Sequence, residues 1–360
     1  MTDLSNVLPG VPTPVIARNA IINGDMRIAQ RGTSFAAFGS SNYCLDRWQY
    51  YKSGAMVHTI SQVDKSSLSS DTPNDQFEYA MKFDCTTADT SISATDYCLI
   101  CQKVEGYNFR QFVGQTATIS FWVKAGKTGT MCVVFVSSAN DRSYVAEVII
   151  NQANTWEYKT VTLDFDYSGG TWDYTNGIGV QMYLVLAGGS TYQTTPDTWQ
   201  SGLYFSTSNQ TNFCDNTDAT CDVWITGVQL ELGANANDFV FDDQSVLENK
   251  CRRYYWRHIA DKEGVQGSGY FTNGLIWSAT KSIHVYRFPI EMRSSPTFSY
   301  SGSFRVQDGT SHTVSAFTGQ NLNPNSARID STITGGGTGN GAILGGNSDA
   351  SAYLEFKAEL

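Results

Sequence analysis

The chain has 360 residues, a formal net charge of −10 and a pI near 4.8. This acidic balance argues against nucleic-acid binding, which requires a basic surface, and no apolar run reaches the roughly 20 residues that a membrane span needs. The length suggests two domains, each able to bury its own core. Only 16 % of the residues are charged and 13 % are aromatic, which together with many Thr, Ser and Gly residues favours β-structure.

The eight cysteines do not form a metal-binding pattern in the sequence. Cys98 and Cys101 have CxxC spacing, but no second pair and no Cys/His cluster follows, so we predict no metal site and no cofactor. Cys214 and Cys221 bracket a polar loop and could form a disulfide in an oxidising medium. The alternative is a set of reduced, mostly buried thiols in a protein made in a cytoplasm.

Residues 1–18 differ from the rest of the chain because they contain Pro9, Pro12 and Pro14 and show no periodicity. Such a segment is predicted to be extended or disordered in isolation. Two interpretations stay open: a flexible terminus, or a peptide that becomes ordered when it docks on a larger assembly.

From residue 19 onward, short stretches of alternating apolar and polar residues are separated by Gly, Asn, Ser and Asp turns. They predict about nine strands, beginning with two short ones within residues 19–32 and including clear ones at residues 117–124, 156–165 and 224–232. No helical segment long enough for a crossover intervenes. We therefore predict an all-β fold, with an antiparallel jelly-roll β-sandwich over residues 19–242.

A single helix is predicted after this sandwich, over residues 246–257 of a linker that spans residues 243–266. Ser245 and Glu248 match a capping box. Four positions at helical spacing would form an apolar stripe along this helix. They are Leu247, Cys251, either Tyr254 or Tyr255, and His258. From residue 267 the β-pattern returns, which predicts a smaller C-terminal β-sandwich over residues 267–360.

No group of titratable residues indicates catalysis. The four histidines show no HExxH spacing, and no GxSxG motif is present. Asp164 and Asp166 would share one strand face, as the carboxylate pair of a glycosidase does. We favour two solvent-facing aspartates beside a turn, and we predict no catalytic residue and no enzyme.

Residues 168–205 are rich in Gly, Thr and Asp and contain a cluster of aromatic residues, Tyr204 among them. This cluster favours ligand binding over catalysis. Aromatic rings pack against the C–H faces of sugars, while Asn, Asp and Thr supply orienting hydrogen bonds. Core packing is the competing explanation, because most aromatic residues of a β-sandwich are buried. The candidate glycan-binding residues are Trp172, Tyr174, Tyr192 and Trp199.

A series of motifs resembles a module that is widespread in bacteriophage tail proteins. They are residues 19–35 (NAIINGDMRIAQRGTSF), 45–48 (LDRW), 119–124 (ISFWVK), 154–161 (NTWEYKTV), 199–202 (WQSG), 225–231 (ITGVQLE) and 251–255 (CRRYY). The resemblance implies a carbohydrate-binding-module-like, galactose-binding-like jelly roll over roughly residues 19–258. Residues 288–297 (FPIEMRSSPT) and 352–360 (AYLEFKAEL) resemble the distal β-domains of phage fibres, which commonly trimerise.

The resemblance implies a non-enzymatic virion protein assembled in the host cytoplasm. It would be a homotrimeric tail fibre or receptor-binding adhesin, anchored to the tail through residues 1–18 and binding host-surface polysaccharide, with the C-terminal β-domain distal. A head fibre or capsid decoration protein is the alternative, and a glycan depolymerase is a third possibility for which no solenoid repeat is visible. In a trimer, we expect the linker helices to meet through Leu247, Cys251, Tyr254 and Tyr255.

Overall fold

The computed structural model describes residues 19–65, 73, 76–166, 168–218, 222–260 and 269–360. These residues form four antiparallel sheets and two short helices, none of which is long and apolar enough to cross a membrane. The prediction of an all-β fold, with a jelly-roll sandwich followed by a smaller β-sandwich, is confirmed. Residues 1–18 and Cys221 lie outside the described residues, so the docking peptide stays a prediction and the pairing of Cys214 with Cys221 stays open.

The N-terminal sandwich is assembled from the first thirteen strands of the described chain. In chain order they are β1 (Ser34–Phe35), β2 (Asn42–Tyr43), β3 (Trp48–Ser53), β4 (Val57–Asp64), β5 (Tyr79–Thr87), β6 (Tyr97–Glu105), β7 (Thr116–Ala125), β8 (Gly129–Ser137), β9 (Arg142–Ile150), β10 (Glu157–Asp164), β11 (Ile178–Gly188), β12 (Trp199–Ser201) and β13 (Val223–Leu232). The first sheet has the order β1-β4-β5-β13-β7-β10, and the second sheet has the order β12-β9-β8-β11-β6-β3-β2. Between β6 and β7 lies the four-residue helix α1 (Gly106–Phe109).

Strand β7 illustrates how the sequence builds this sandwich. Its apolar residues alternate with polar ones, and Ala117, Ile119 and Phe121 are completely buried between the sheets. Its neighbour β13 is the strand predicted at residues 224–232. The ladder between them shifts register at Gly227, which has a φ of 63° and where a Cβ would lie 2.7 Å from the Phe77 ring. Glycine at this bulge lets Phe77 pack directly on the strand.

The strands β4 and β6 were not predicted, and the strands predicted within residues 19–32 are absent. Strand β6 contains the CxxC run and is buried over most of its length, because it pairs with β3 and β11 inside the second sheet. A strand that is covered on both faces does not show apolar–polar alternation. The described residues 19–33 instead form turns, with positive φ angles at Asn23 and Met26.

The second helix, α2 (Gln244–Arg252), is shorter than predicted, so the helix expected over residues 246–257 is wrong in its second half. Residues that follow it form β14 (Tyr255–Ile259), which pairs along its whole length with β23 (Tyr353–Lys357). The N-cap residue is Asp243, whose side chain makes no capping hydrogen bond, and the predicted capping box at Ser245 does not form. The local spacing of apolar residues predicts a helix for residues 255–257. Pairing with β23, which lies nearly 100 residues later in the chain, makes them part of a strand instead.

The C-terminal sandwich contains β14 and β23 together with eight further strands. These are β15 (Tyr270–Ser278), β16 (Lys281–Arg287), β17 (Thr297–Ser301), β18 (Phe304–Gln307), β19 (Ser311–Thr313), β20 (Ala316–Asn323), β21 (Ser326–Thr332) and β22 (Gly341–Gly346). A small sheet of order β14-β23-β17 and a larger sheet of order β19-β18-β22-β15-β16-β21-β20 enclose a separate core that includes Ile276, Phe304, Leu344 and Phe356.

The two sandwiches meet at a cluster of ion pairs and aromatic rings, which we call the junction. Its members are Arg31, Arg47, Glu105, Arg253, Tyr254, Tyr255 and Glu359. The Arg47 guanidinium pairs with Glu359 and lies 3.6 Å from the centre of the Tyr254 ring. The Arg31 guanidinium pairs with Glu359 at 2.8 Å and lies 3.5 Å from the centre of the Tyr255 ring. On the other side, Glu105 accepts hydrogen bonds from Arg253 and from the Tyr254 hydroxyl.

The residues expected at a trimer axis lie inside a single chain. Leu247, Cys251, Tyr254 and Tyr255 are each at most 2 % exposed. Leu247 and Cys251 pack on Ile28 of the N-terminal sandwich, and the two tyrosines belong to the junction. This corrects the expectation for these four side chains, because they are already covered within the chain. Trimerisation itself stays a prediction.

Candidate functional site

A groove of about 750 Å³ runs along one edge of the N-terminal sandwich, where β10 of the first sheet approaches β9 and β12 of the second. Because β10 and β12 are edge strands, no further strand of their sheets covers this side. We call this feature the edge groove. It is lined by Thr116, Arg142, Tyr144, Thr162, Leu163, Asp164, Phe165, Asp166, Asp197, Thr198 and Trp199.

Trp199, at the start of β12, supplies the aromatic wall of the edge groove. It lies opposite Tyr144 in the strand register, with ring centroids 5.4 Å apart. Its indole N–H donates a hydrogen bond of 2.8 Å to the backbone carbonyl of Asp164, which connects the two sheets. The indole is therefore fixed in orientation, while the residue remains only partly buried.

The inner carboxylate of the edge groove, Asp166, is held in its charged form. It accepts a hydrogen bond of 2.6 Å from Nε of Arg142 and one of 2.8 Å from the backbone N–H of Ser168. Partial burial acts in the opposite direction, but the hydrogen bonds from Ser168 and Arg142 prevail and lower the pKa of Asp166. This carboxylate therefore acts as a fixed acceptor rather than as a proton donor.

The other two carboxylates, Asp164 and Asp197, are exposed to solvent. Asp164 accepts a hydrogen bond from the Thr116 hydroxyl. Burial, together with the neighbouring charges of Asp197 and Asp164, raises the pKa of Tyr144 to about 12, so its phenol stays protonated at neutral pH. The groove thus combines an immobile indole with carboxylate oxygens that can accept further hydrogen bonds.

Three of the four predicted glycan-binding residues lie near one another. Trp172 packs edge-on against Trp199, with centroids 5.6 Å apart. Tyr174 stacks at 6.4 Å on Phe109, which in turn stacks on Trp172 at 5.3 Å. Only Trp199 lines the groove, whereas Trp172 is half-buried against the main core.

The fourth predicted residue, Tyr192, lies on the outer face of the second sheet. Its ring packs against Tyr97 and Phe205, with centroids 5.4 and 4.7 Å apart. Next to it is a cavity of about 170 Å³, lined by Tyr51, Tyr97, Leu99, Asn140, Gln181, Tyr183, Leu203 and Phe205. No pattern in the sequence indicates this cavity, because its strand residues are recognisable only once β6 is known to be a strand.

Within the part of the chain that the structure describes, one group of side chains has the composition of a metal site. It consists of His58, Cys98 and Cys214, whose donor atoms all lie within 4.8 Å of one another. The group is buried between the two sheets, away from the edge groove and from the Tyr192 cavity.

The comparisons with known proteins yield only distant structural similarities. No protein-family model matches the chain, and no curated protein sequence matches it. The enzymatically active domain of tailspike protein 4 from bacteriophage CBA120 has 14 % identity and a TM-score of 0.32, with 60 % of this chain and 21 % of that chain covered. A family 4 carbohydrate-binding module has 12 % identity and a TM-score of 0.32, covering 59 % of this chain and 98 % of the module.

A family 61 carbohydrate-binding module in complex with β-1,4-galactotriose has 13 % identity and a TM-score of 0.28, covering 60 % of this chain and 99 % of the module. With TM-scores this low, the similarities carry no argument about function. The fold is defined instead by the strand pairing of the chain itself.

Proposed function

We propose that the chain binds a glycan in the edge groove without cleaving it. The proposal rests on one observation: the Trp199 indole is held in a fixed orientation beside the carboxylates of Asp164 and Asp197. A sugar ring presents a C–H face that packs on an indole and hydroxyl groups that donate hydrogen bonds to carboxylates. The groove volume of about 750 Å³ is large enough for a ligand of several sugar units.

Two features favour binding over hydrolysis. A glycosidase needs one carboxylic acid that stays protonated until it transfers its proton to the leaving group. The pKa of Asp166 is lowered by its hydrogen bonds with Ser168 and Arg142, so this residue is unsuited to that role. In addition, both carboxylate oxygens of Asp166 already accept hydrogen bonds, Oδ2 from Arg142 and Oδ1 from Ser168, so neither is free to act as a nucleophile.

The decisive experiment measures polysaccharide binding by the Trp199→Ala variant. We expect the affinity to fall at least about tenfold, as expected for the loss of a central aromatic contact. Trp224→Ala is the matched control, because Trp224 is a half-buried tryptophan on β13, outside the groove. Equal affinity of Trp199→Ala and the wild-type protein, with both variants folded by circular dichroism, would exclude the edge groove as the glycan site.

We further propose that the protein is a virion adhesin, a tail fibre that presents this site to the host surface. The ordered series of phage-tail-like motifs in the sequence supports this assignment. Mass spectrometry of separated tails and heads tests it: the protein should be found with tails, and recovery with heads alone would favour the alternative, a head fibre or capsid decoration protein. Deletion of residues 1–18 should abolish particle attachment and leave a folded protein.

Homotrimerisation and the absence of enzyme activity belong to the same proposal and have separate tests. Light scattering of the purified full chain should give three times the mass of one chain. A reducing-sugar assay on host polysaccharide should detect no product. If product does form and disappears in the Asp164→Asn or Asp166→Asn variant, the protein is a depolymerase instead.

A further inference from the structure

We propose that His58, Cys98 and Cys214, with Cys85 as the fourth ligand, form a structural zinc site inside the N-terminal sandwich. This site is independent of the proposed glycan binding and lies at a different place in the fold.

The four residues reach one point from four separate segments. His58 lies on β4 and Cys85 on β5, directly opposite each other in the strand register of the first sheet. Cys98 lies on β6 of the second sheet, and Cys214 lies in the segment between β12 and β13. All four are at most 2 % exposed. The cluster therefore connects the two sheets through the core.

The distances between donor atoms suit a tetrahedral ion. The Cys98 Sγ atom lies 4.0 Å from Nδ1 of His58, and around zinc the sulfur–nitrogen separation is about 3.6 Å for bonds of roughly 2.3 and 2.0 Å. The donor atoms of His58, Cys98 and Cys214 lie within 4.8 Å of one another. Cys85 adjoins this group, because it lies opposite His58 in the strand register and its thiol contacts the backbone carbonyl of Cys214 at 3.5 Å. A side-chain rotation would therefore bring its sulfur to the same ion as the fourth ligand.

The nitrogen of His58 that lies near Cys98 is Nδ1, so this atom is the proposed ligand. The Tyr50 hydroxyl lies 2.7 Å from Nδ1 and 3.4 Å from Sγ of Cys98. When Nδ1 binds the ion, this hydroxyl would instead donate a hydrogen bond to the Cys98 thiolate, as the outer hydrogen-bond partners of metal ligands do.

Zinc is the ion that best fits this donor set. Three thiols and one imidazole without an open coordination position are typical of closed structural zinc sites. On binding, each thiol releases its proton to solvent and coordinates as a thiolate. Because the site is enclosed, zinc binding would be coupled to folding of the sandwich.

The nearby CxxC spacing does not itself form the site. Cys98 and Cys101 are separated by an odd number of positions on strand β6, so their side chains point to opposite faces of the sheet. Accordingly, Cys98 belongs to the core between the sheets, whereas Cys101 belongs to the cluster on the outer face. Cys101 is therefore a matched control for Cys98.

The test measures zinc in the purified full chain, prepared with reductant in zinc-supplemented medium, by inductively coupled plasma mass spectrometry. We expect one zinc per chain in the wild-type protein and in Cys101→Ser, and background zinc in Cys98→Ser and Cys214→Ser. Chelation should lower the melting temperature of the wild-type protein but not of the Cys98→Ser variant.

Because the ligand variants could fail to fold, the wild-type protein is also refolded with Co²⁺ alone. The intense visible absorption of tetrahedral, thiolate-bound Co²⁺, which added zinc then removes, is the expected result. Background zinc in the folded wild-type protein without a cobalt spectrum would overturn the proposal. So would a Cys98–Cys214 disulfide found by peptide mapping.

Discussion

The junction and the edge groove are built from the same kinds of residue but differ in their access to solvent. In the junction, the Arg47 and Glu359 side chains are 1 % and 10 % exposed, and the Tyr254 ring lies against the guanidinium. In the groove, the Arg142 side chain is 20 % exposed, and Asp164 and Asp197 face solvent.

The difference shows how the same chemistry serves two purposes. Where two sandwiches enclose an arginine–carboxylate pair, each charge is costly to leave without its partner, so the pair fixes how the sandwiches meet. In the groove, the Arg142–Asp166 pair is also mostly buried, with side chains 20 % and 8 % exposed. The carboxylates beside it, Asp164 and Asp197, are exposed, so they contribute little to stability and remain available to a ligand. Two experiments test this contrast directly, and one between them tests the cost of burying a titratable group elsewhere in the protein. They follow in order of expected effect.

The largest effect is expected from Arg47→Ala in the junction. Removing the guanidinium leaves the Glu359 carboxylate with Arg31 alone and should lower the free energy of unfolding by about 3 kcal/mol. Urea denaturation measures the change. Arg252→Ala is the control, because its pair with Glu248 on α2 has side chains 33 % and 32 % exposed and should contribute no more than about 0.5 kcal/mol. Equal losses in the two variants would contradict the contrast.

A smaller effect is expected from His284, a buried polar group of the C-terminal sandwich. Burial lowers the pKa of this imidazole from 6.5 to about 4. Between these values the unfolded chain binds a proton that the folded protein does not, so stability is complete at pH 7 and decreases as the pH falls to 4. The loss should reach roughly 2–3 kcal/mol.

Comparison with His284→Gln isolates this contribution. Urea denaturation at pH 7 and pH 4.5 should show a smaller difference between the two pH values in the variant than in the wild-type protein. An identical pH dependence in both proteins would show that His284 is not the group responsible.

The smallest effect on stability is expected from Asp197→Asn in the groove. The residue is exposed, so the free energy of unfolding should change by no more than about 0.5 kcal/mol. If the groove binds glycan, affinity should nevertheless fall, by roughly three- to tenfold for one lost charge-assisted hydrogen bond. Glu248→Gln on α2 is the control and should change neither quantity. A large loss of stability in Asp197→Asn would show that this groove residue stabilises the fold as the junction residues do, and would contradict the contrast.

Sequence reasoning succeeded where apolar and polar residues alternate along a strand. The alternation at residues 117–124 predicts β7 almost to its ends, because polar Thr118 and Ser120, although themselves buried, separate the apolar residues that fill the core. It failed at β6, where neighbours on both faces remove the alternation. It also failed after Arg252, because the strand partner of Tyr255 lies about 100 residues later.

The candidate sites were harder to predict than the fold because their residues are distant in sequence. Trp199 was identified from its local composition, but its contact with Asp164 depends on two edge strands meeting. The His58–Cys98–Cys214 group is assembled from strands of both sheets and a loop. A strand assignment for residues 97–105 would have separated Cys98 from Cys101, since residues an odd number of positions apart on a strand face opposite sides of the sheet.

The ion pair between Arg47 and Glu359 also has a consequence for synthesis on the ribosome. Its partners are 312 positions apart, an interval that takes roughly 15–60 s to translate at about 5–20 residues per second. The N-terminal sandwich can close only after β13 ends at Leu232. From then until Glu359 is synthesised, it must keep an arginine without its final partner and a surface without its cover. Attachment of the C-terminal sandwich is therefore a late event, and chains interrupted before Glu359 would expose this surface to other nascent chains.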